Sequence, residues 1–229
     1  MLDILVIGDS FCKDRSEEFH WPVAFSKALS TNNKIRGKGF AGCSWWSTRT
    51  KLLKELEQSI PDILILVHTE SQRLPNDYEL GINSRSAETK NVSVNNLNYD
   101  YIATDGYKNL LESYYQHLHC IQFFDWAQHA WFEELDNMLL ALSIDCVIHL
   151  HAFNNINIRC KTENGRYLFK SGITIEEPLW LFTTDPYNGE HPNHLSKDLN
   201  IKLGHALAEI AVNKKLNQNN TYSIKDKLC

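Results

Sequence analysis

Leu2-Asp3-Ile4-Leu5-Val6-Ile7-Gly8-Asp9-Ser10-Phe11-Cys12 is the stretch from which the fold can be read. Residues 2–8 form a short run of Ile, Leu and Val that stops at a glycine. A strand buried on both faces of a parallel sheet has this pattern. The run lacks a basic leader and a small-residue cleavage site, so it reads as a first strand and not as a signal peptide. Two further runs of the same kind follow, Ile63-Leu64-Ile65-Leu66-Val67 and Cys146-Val147-Ile148-His149-Leu150-His151, with a weaker one at 34–40.

Helical spacing fills the gaps between these runs. Ser16 is a candidate N-cap for a helix over 16–30, with Phe19, Val23, Ala24, Lys27 and Ala28 on one face and Pro22 near its start. Ser47 could cap a helix running to Ile60, with Leu52, Leu53, Leu56 and Ile60 as its apolar stripe. Residues 106–142 read as two helices, with Leu110, Leu111, Tyr114, Leu118, Phe132, Leu135 and Leu139 inward. Asn164-Gly165 signals a hairpin within 158–175. Ser196 caps a last helix over 197–212, in which Leu199, Leu203, Leu207 and Ile210 recur at helical spacing. The alternation of strands and helices implies right-handed crossovers, a mostly parallel sheet and helices on both faces, an α/β fold. One domain is expected over residues 1–212, followed by a polar tail, 213–229. Residues 70–105 are polar and aperiodic, an inserted excursion that reads as a functional loop or lid.

Composition narrows the class. Of 229 residues 43% are hydrophobic and 22% charged, which is ordinary globular usage. The net charge of −5 argues against a general nucleic-acid or anionic-membrane surface, and no apolar run is long enough to span a bilayer. Of the six cysteines the closest pair, Cys146 and Cys160, is 14 residues apart, so no zinc knuckle or dithiol motif is present. The expectation is thiols in a reducing, cytoplasmic compartment.

In a parallel sheet, sites form beyond the carboxyl ends of the strands. Ser10 stands directly after the first strand, where its hydroxyl would enter such a site as a nucleophile if a base came within reach. Gly42, after the second strand, lets the backbone approach a ligand and offer its N–H to an oxyanion. The segment Asp185-Pro186-Tyr187-Asn188-Gly189-Glu190-His191-Pro192-Asn193-His194-Leu195-Ser196 carries two candidate general bases just before a capped helix. His149 and His151 share one face of a strand and are read as packing or hydrogen-bonding groups near the site, not as zinc ligands. Trp45 and Trp46 follow Gly42 and offer stacking surfaces. Arg73, at the base of the excursion, could bind an anionic group.

Gly8-Asp9-Ser10 after the first strand, a glycine-containing second segment, His194-Leu195-Ser196 opening the last helix and Trp21-Pro22 early in the chain together resemble the SGNH (GDSL-type) hydrolases. The resemblance implies a three-layer α/β/α sandwich and a metal-independent esterase without a cofactor. Its substrates would be small-molecule or glycan esters, acetylated carbohydrates among them. It makes Ser10 the nucleophile and the N–H groups of Ser10 and Gly42 oxyanion donors. His194 is the favoured base, since the helix periodicity begins after Ser196, and His191 the alternative. Two departures stand out. The position three residues before either histidine is not a carboxylate, so Glu190 or Asp185 would have to serve as the acid, or the site works as a Ser–His dyad. The asparagine that the family places after the third strand is absent from His68-Thr69-Glu70-Ser71-Gln72-Arg73, leaving Thr69, His68 or Arg73 to supply the third donor. A non-catalytic binding module that keeps the fold is the alternative that these departures suggest.

Overall fold

The computed structural model describes residues 1–13, 16–29, 32–40, 43–71, 113–114, 117–118, 120–153, 167–183, 195–213 and 221–228. Their centre is a six-stranded sheet in the order β2-β1-β3-β4-β5-β6, with every neighbouring pair parallel. The strands are β1 (Asp3–Gly8), β2 (Lys34–Arg36), β3 (Ile63–His68), β4 (Cys146–His151), β5 (Ile173–Ile175) and β6 (Thr221–Tyr222). β1, β3 and β4 are the three apolar runs of the sequence, and β3 and β4 are buried along their whole length.

The strands' two-residue alternation sorts their side chains into two cores. Ile4, Val6, Ile63, Ile65, Val67, Ile148 and Leu150 face α1 (Trp21–Ala28) and α4 (Lys197–Val212), where they meet Trp21, Phe25, Leu203 and Leu207. Leu5, Ile7, Leu64, Leu66 and Val147 face α2 (Trp45–Gln58) and α3 (Ile121–Leu142), where they meet Leu52, Leu56, Trp131, Phe132, Leu135 and Leu139. The result is the expected three-layer α/β/α arrangement. α1 and α4 cross closely at Gly204, where an added Cβ would lie 2.7 Å from Ala24 Cβ and from Phe25 N.

Several local expectations need correction. α1 begins at Trp21 and not at Ser16: Pro22 lacks an N–H and suits only the first turn of a helix. Phe19 therefore precedes the helix, and Trp21 and Phe25 carry its buried face. α2 begins three residues early, because Ser44 and not Ser47 is the cap; the Ser47 N–H donates to Ser44 Oγ at 3.2 Å. It ends at Gln58, which leaves Ile60 outside the helix and exposed. Leu118 is exposed because it precedes α3, whose cap Cys120 is extended, so the helical stripe of Phe132, Leu135 and Leu139, which are buried, does not continue back to it. Leu110 and Leu111, the Asn164-Gly165 turn and residues 72–105 of the excursion lie outside the described residues. The downstream flank of that turn contains β5, which pairs parallel to β4. Part of the polar tail belongs to the fold. Thr221–Tyr222 joins the sheet as β6, and Ile224 and Leu228 of the following turn, α5 (Lys225–Leu228), reach the core beside α4.

The amino edge of the sheet is pinned by Arg36 on β2. Its Nε donates to both Asp3 carboxylate oxygens at 3.0 and 2.9 Å, Nη1 to Glu55 Oε2 at 2.8 Å and Nη2 to the Ser59 carbonyl at 2.6 Å. Asp62, before β3, accepts from the Asp3 N–H at 2.7 Å.

Candidate active site

After β1 the chain crosses to β2 on one side, and β3 then lies on the other. In such sheets the reversal, here beyond the carboxyl ends of β1 and β3, marks the crevice where ligands usually bind. Ser10 is there. It opens a single 3-10 turn, Ser10–Cys12, whose cap is the buried Asp9: its Oδ1 accepts from the Phe11 N–H at 3.0 Å. The turn halts the strand and leaves Ser10 partly exposed while Phe11 and Cys12 are buried.

The return from β2 packs tightly against this turn. The Gly39 N–H donates to the Cys12 carbonyl at 3.2 Å and the Phe40 N–H to the Gly8 carbonyl at 3.2 Å. A Cβ on Gly39 would sit 1.9 Å from the Asp9 carbonyl oxygen, so no other residue fits there without displacing the serine turn. Cys43 Sγ lies 3.4 Å from the Gly8 carbonyl, and Ser44 then caps α2. Residues 41–42, Gly42 among them, fall between these two anchors and outside the described residues. Trp45 packs partly buried against the α2–α3 core, and its neighbour Trp46 carries the more exposed ring of the pair.

The exit of β3 is held by α3. Gln128, fully buried, donates from Nε2 to the Thr69 carbonyl at 2.8 Å, and Ser71 Oγ donates to Asp125 Oδ1. Burial pushes the Asp125 carboxyl above its ordinary value, and the Ser71 hydrogen bond opposes that shift. Thr69 is thus buried at the mouth of the crevice, and Glu70 beside it is partly exposed.

Arg73, Asp185, Glu190, His191 and His194 lie outside the described residues. The chain on both sides of the 184–194 loop is placed. Thr183 and Leu195 form an antiparallel bridge, and the Trp180 N–H donates to the Ala152 carbonyl at 3.0 Å, just past β4. Ser196 caps α4 as its spacing predicts, accepting from the Leu199 N–H at 3.3 Å. Asn200 ties this start to the β1 exit: its Oδ1 accepts from the Trp21 N–H at 3.2 Å, and its Nδ2 donates to the Leu195 carbonyl at 2.9 Å. The Trp21 indole in turn donates to the Phe11 carbonyl at 2.7 Å, one residue from Ser10.

A group not anticipated as a unit lies on the same edge. His68 and His151 end β3 and β4 in register, and His149 lies two residues back; all three are buried. His68 Nε2 and His149 Nδ1 are 3.0 Å apart, and His149 Nε2 is 3.5 Å from Ser171 Oγ. Phe169 stacks on His149 with ring centroids 3.6 Å apart. Burial, with the neighbouring imidazoles adding to it, holds His68 and His149 well below the ordinary value of 6.5. The His149/His151 spacing signalled part of this group, but His68 joins it only through strand register. Among the described residues no cluster of His, Cys, Asp or Glu is arranged to hold a metal ion, and no helix is long and apolar enough to cross a membrane. Cys12, Cys43, Cys120 and Cys146 take part in no disulfide.

No family model and no curated protein matches the sequence. Among solved structures, the chain is similar to an inhibitor-bound aryl esterase of M. smegmatis. That alignment has 11% identity and a TM-score of 0.40, over 91% of this chain and 97% of the other. It is also similar to a mutant of an acetyl-xylooligosaccharide esterase from Geobacillus, at 11% identity and a TM-score of 0.43, over 97% of each chain.

Proposed function

We propose that the protein is a serine-dependent carboxylic ester hydrolase of the SGNH type, acting on small-molecule or glycan esters, with O-acetylated carbohydrates as the first class to test. The observation that carries this reading is Ser10: a partly exposed serine on a capped turn, at the point where the strand order reverses. Ser10 Oγ attacks the acyl carbon while His194 takes its proton; His191 is the alternative base. The N–H groups of Ser10 and Gly42 receive the oxyanion, with Thr69 as third donor. The alcohol leaves with the proton returned by the histidine, and water attacks the acyl-enzyme by the same route. Asp185 or Glu190 would orient the imidazole; without either, the pair works as a dyad. The anchoring of Leu195 and Ser196 to the start of α1 supports this assignment, because it ties the chain just after His194 to the serine turn. The excursion after Ser71 leaves the sheet at this same end, so in this reading it borders the site and sets substrate choice, with Arg73 as an anionic-group contact.

The test is a screen with short-chain aryl esters and acetylated sugars, joined to labelling by a serine-reactive phosphonate and mapping of the adduct. Turnover with the label on Ser10 is the expected result, and His194→Ala should lose far more activity than His191→Ala. Labelling at a different serine overturns the assignment. Neither turnover nor label, with acetylated glycans binding unchanged, replaces the enzyme with the binding module.

A further inference from the structure

The strongest feature that the proposed chemistry leaves unused is the histidine group and what covers it. Residues 167–171 lie over the ends of β3 and β4. Phe169 stacks on His149, and on His68 with centroids 4.9 Å apart; Ser171 Oγ approaches His149 Nε2. The cover is held to α3 by Asp136, whose carboxylate accepts from the Lys170 N–H at 3.0 Å and the Ser171 N–H at 2.7 Å. We propose that the His68–His149 pair is a proton-sensitive latch that holds the 167–171 segment over the carboxyl edge of the sheet at neutral pH and releases it on acidification.

The geometry sets the proton capacity of the latch. The 3.0 Å contact between His68 Nε2 and His149 Nδ1 holds one proton, carried by either nitrogen and accepted by the other. With both rings neutral, His149 Nε2 accepts from the Ser171 hydroxyl or donates to it, according to the tautomer. A pair with both rings charged would set two N–H donors against each other across that contact, and the bridge must open. Even a single charge is costly here, because the rings are buried among Phe132, Phe169 and each other. Other titratable groups border the pair. From β4, His151 lies 5.2 Å from His68 between ring centroids and adds a like charge when protonated. From β1, Asp9 stands one residue past the Gly8–Val67 pair, level with His68. From α3, Asp136 is engaged by the two cover amides, and His129 meets the Tyr167 ring. Lys170, on the cover itself, is exposed.

Both rings are neutral in the closed form and take up protons once the cover lifts. Closure is therefore fully present above the ordinary imidazole value and is lost as pH falls below it. Each ring that charges on opening weakens closure by about tenfold per pH unit below that value. The latch is independent of whether the chain hydrolyses esters.

The test is hydrogen exchange of the full-length protein, corrected for intrinsic rates, from about pH 7.5 to about pH 5.5. Protection of peptides covering 167–175 should fall by about tenfold to a hundredfold and stay below that of β1 and β3 at the acid end. In the variant His68→Gln/His149→Gln the fall should vanish. Protection that does not change with pH overturns the latch. So does the same fall in the double variant, or a segment that exchanges only together with β1 and β3. If the double variant does not fold, ring ¹⁵N spectra of the wild type decide. Neutral His68 and His149 for as long as the segment stays protected support the latch, and two charged rings under an intact cover overturn it.

Discussion

The two ends of the sheet are both polar, and they reach that state by opposite means. At the amino end, one guanidinium draws together Asp3, Glu55 and Ser59, so charges meet charges across β1, β2 and α2. At the carboxyl end, two of the buried polar groups of β3 and β4, His68 and His149, are imidazoles held neutral, on the edge that also carries the serine turn capped by Asp9. Ion pairs are indifferent to pH over the neutral range but strict about geometry, which suits the setting of strand register. Neutral imidazoles at a buried edge make that edge responsive to protons and leave the crevice without a fixed cation beside Ser10 from this group. In the proposed reading, one end serves registration and the other chemistry.

This division can be broken in four ways, taken from the largest effect to the smallest. If Ser10 is the nucleophile as proposed, Ser10→Ala should lower ester turnover by roughly four orders of magnitude or more. Its melting temperature should stay close to wild type, since Ser10 is partly exposed and belongs to neither core; calorimetry beside the activity assay checks both. Arg36→Ala should cost about 1–3 kcal/mol in urea unfolding, because it leaves the part-buried Asp3 and Glu55 carboxylates without their charged donor. That loss should be nearly the same at neutral and mildly acid pH. Wild-type stability should fall by about 1.4 kcal/mol per pH unit for each of His68 and His149 as pH drops below the ordinary imidazole value. The unfolded chain binds those protons and the closed form does not, so the slope has this sign for as long as the cover stays closed and flattens once it opens; urea titrations at several pH values measure it. Gln128→Leu should cost about 1–3 kcal/mol by leaving the buried Thr69 carbonyl without its donor. If Thr69 serves the oxyanion, the same variant should lower kcat more than it changes KM.

Much of this division can be read from the sequence at the level of elements and little at the level of contacts. β1, β3 and β4 announce themselves as apolar runs, and Ser196 marks the start of α4, because these signals are local. Ser44 against Ser47 was not decidable locally, since both are good caps, and the packing of Trp45 on the core favours the earlier start. The histidine pair joins residues 81 positions apart, and only the β3–β4 register brings them together. Gln128 carries no local signal of its role, because its carbonyl partner is 59 residues away. The proposed bases, His191 and His194, were found by their distance from a cap, a local signal again.

The return of the chain as β6 bears on synthesis as well as on stability. β5 pairs with β4 on one side, and on the other it waits for Thr221–Tyr222, made more than forty residues later, with α4 between. While the ribosome is still emitting α4, Thr174 and Ile175 present an open strand edge, the kind of surface on which neighbouring nascent chains can add. Closure then comes as a cluster: Thr221–Tyr222 zips onto the edge, Glu177 receives the Ile224 N–H at 2.8 Å, and Ile224 drops into the core. The short closing segment thus acts as a seal on the edge of β5, and lengthening the delay before it arrives would lengthen the interval in which that edge can stay open.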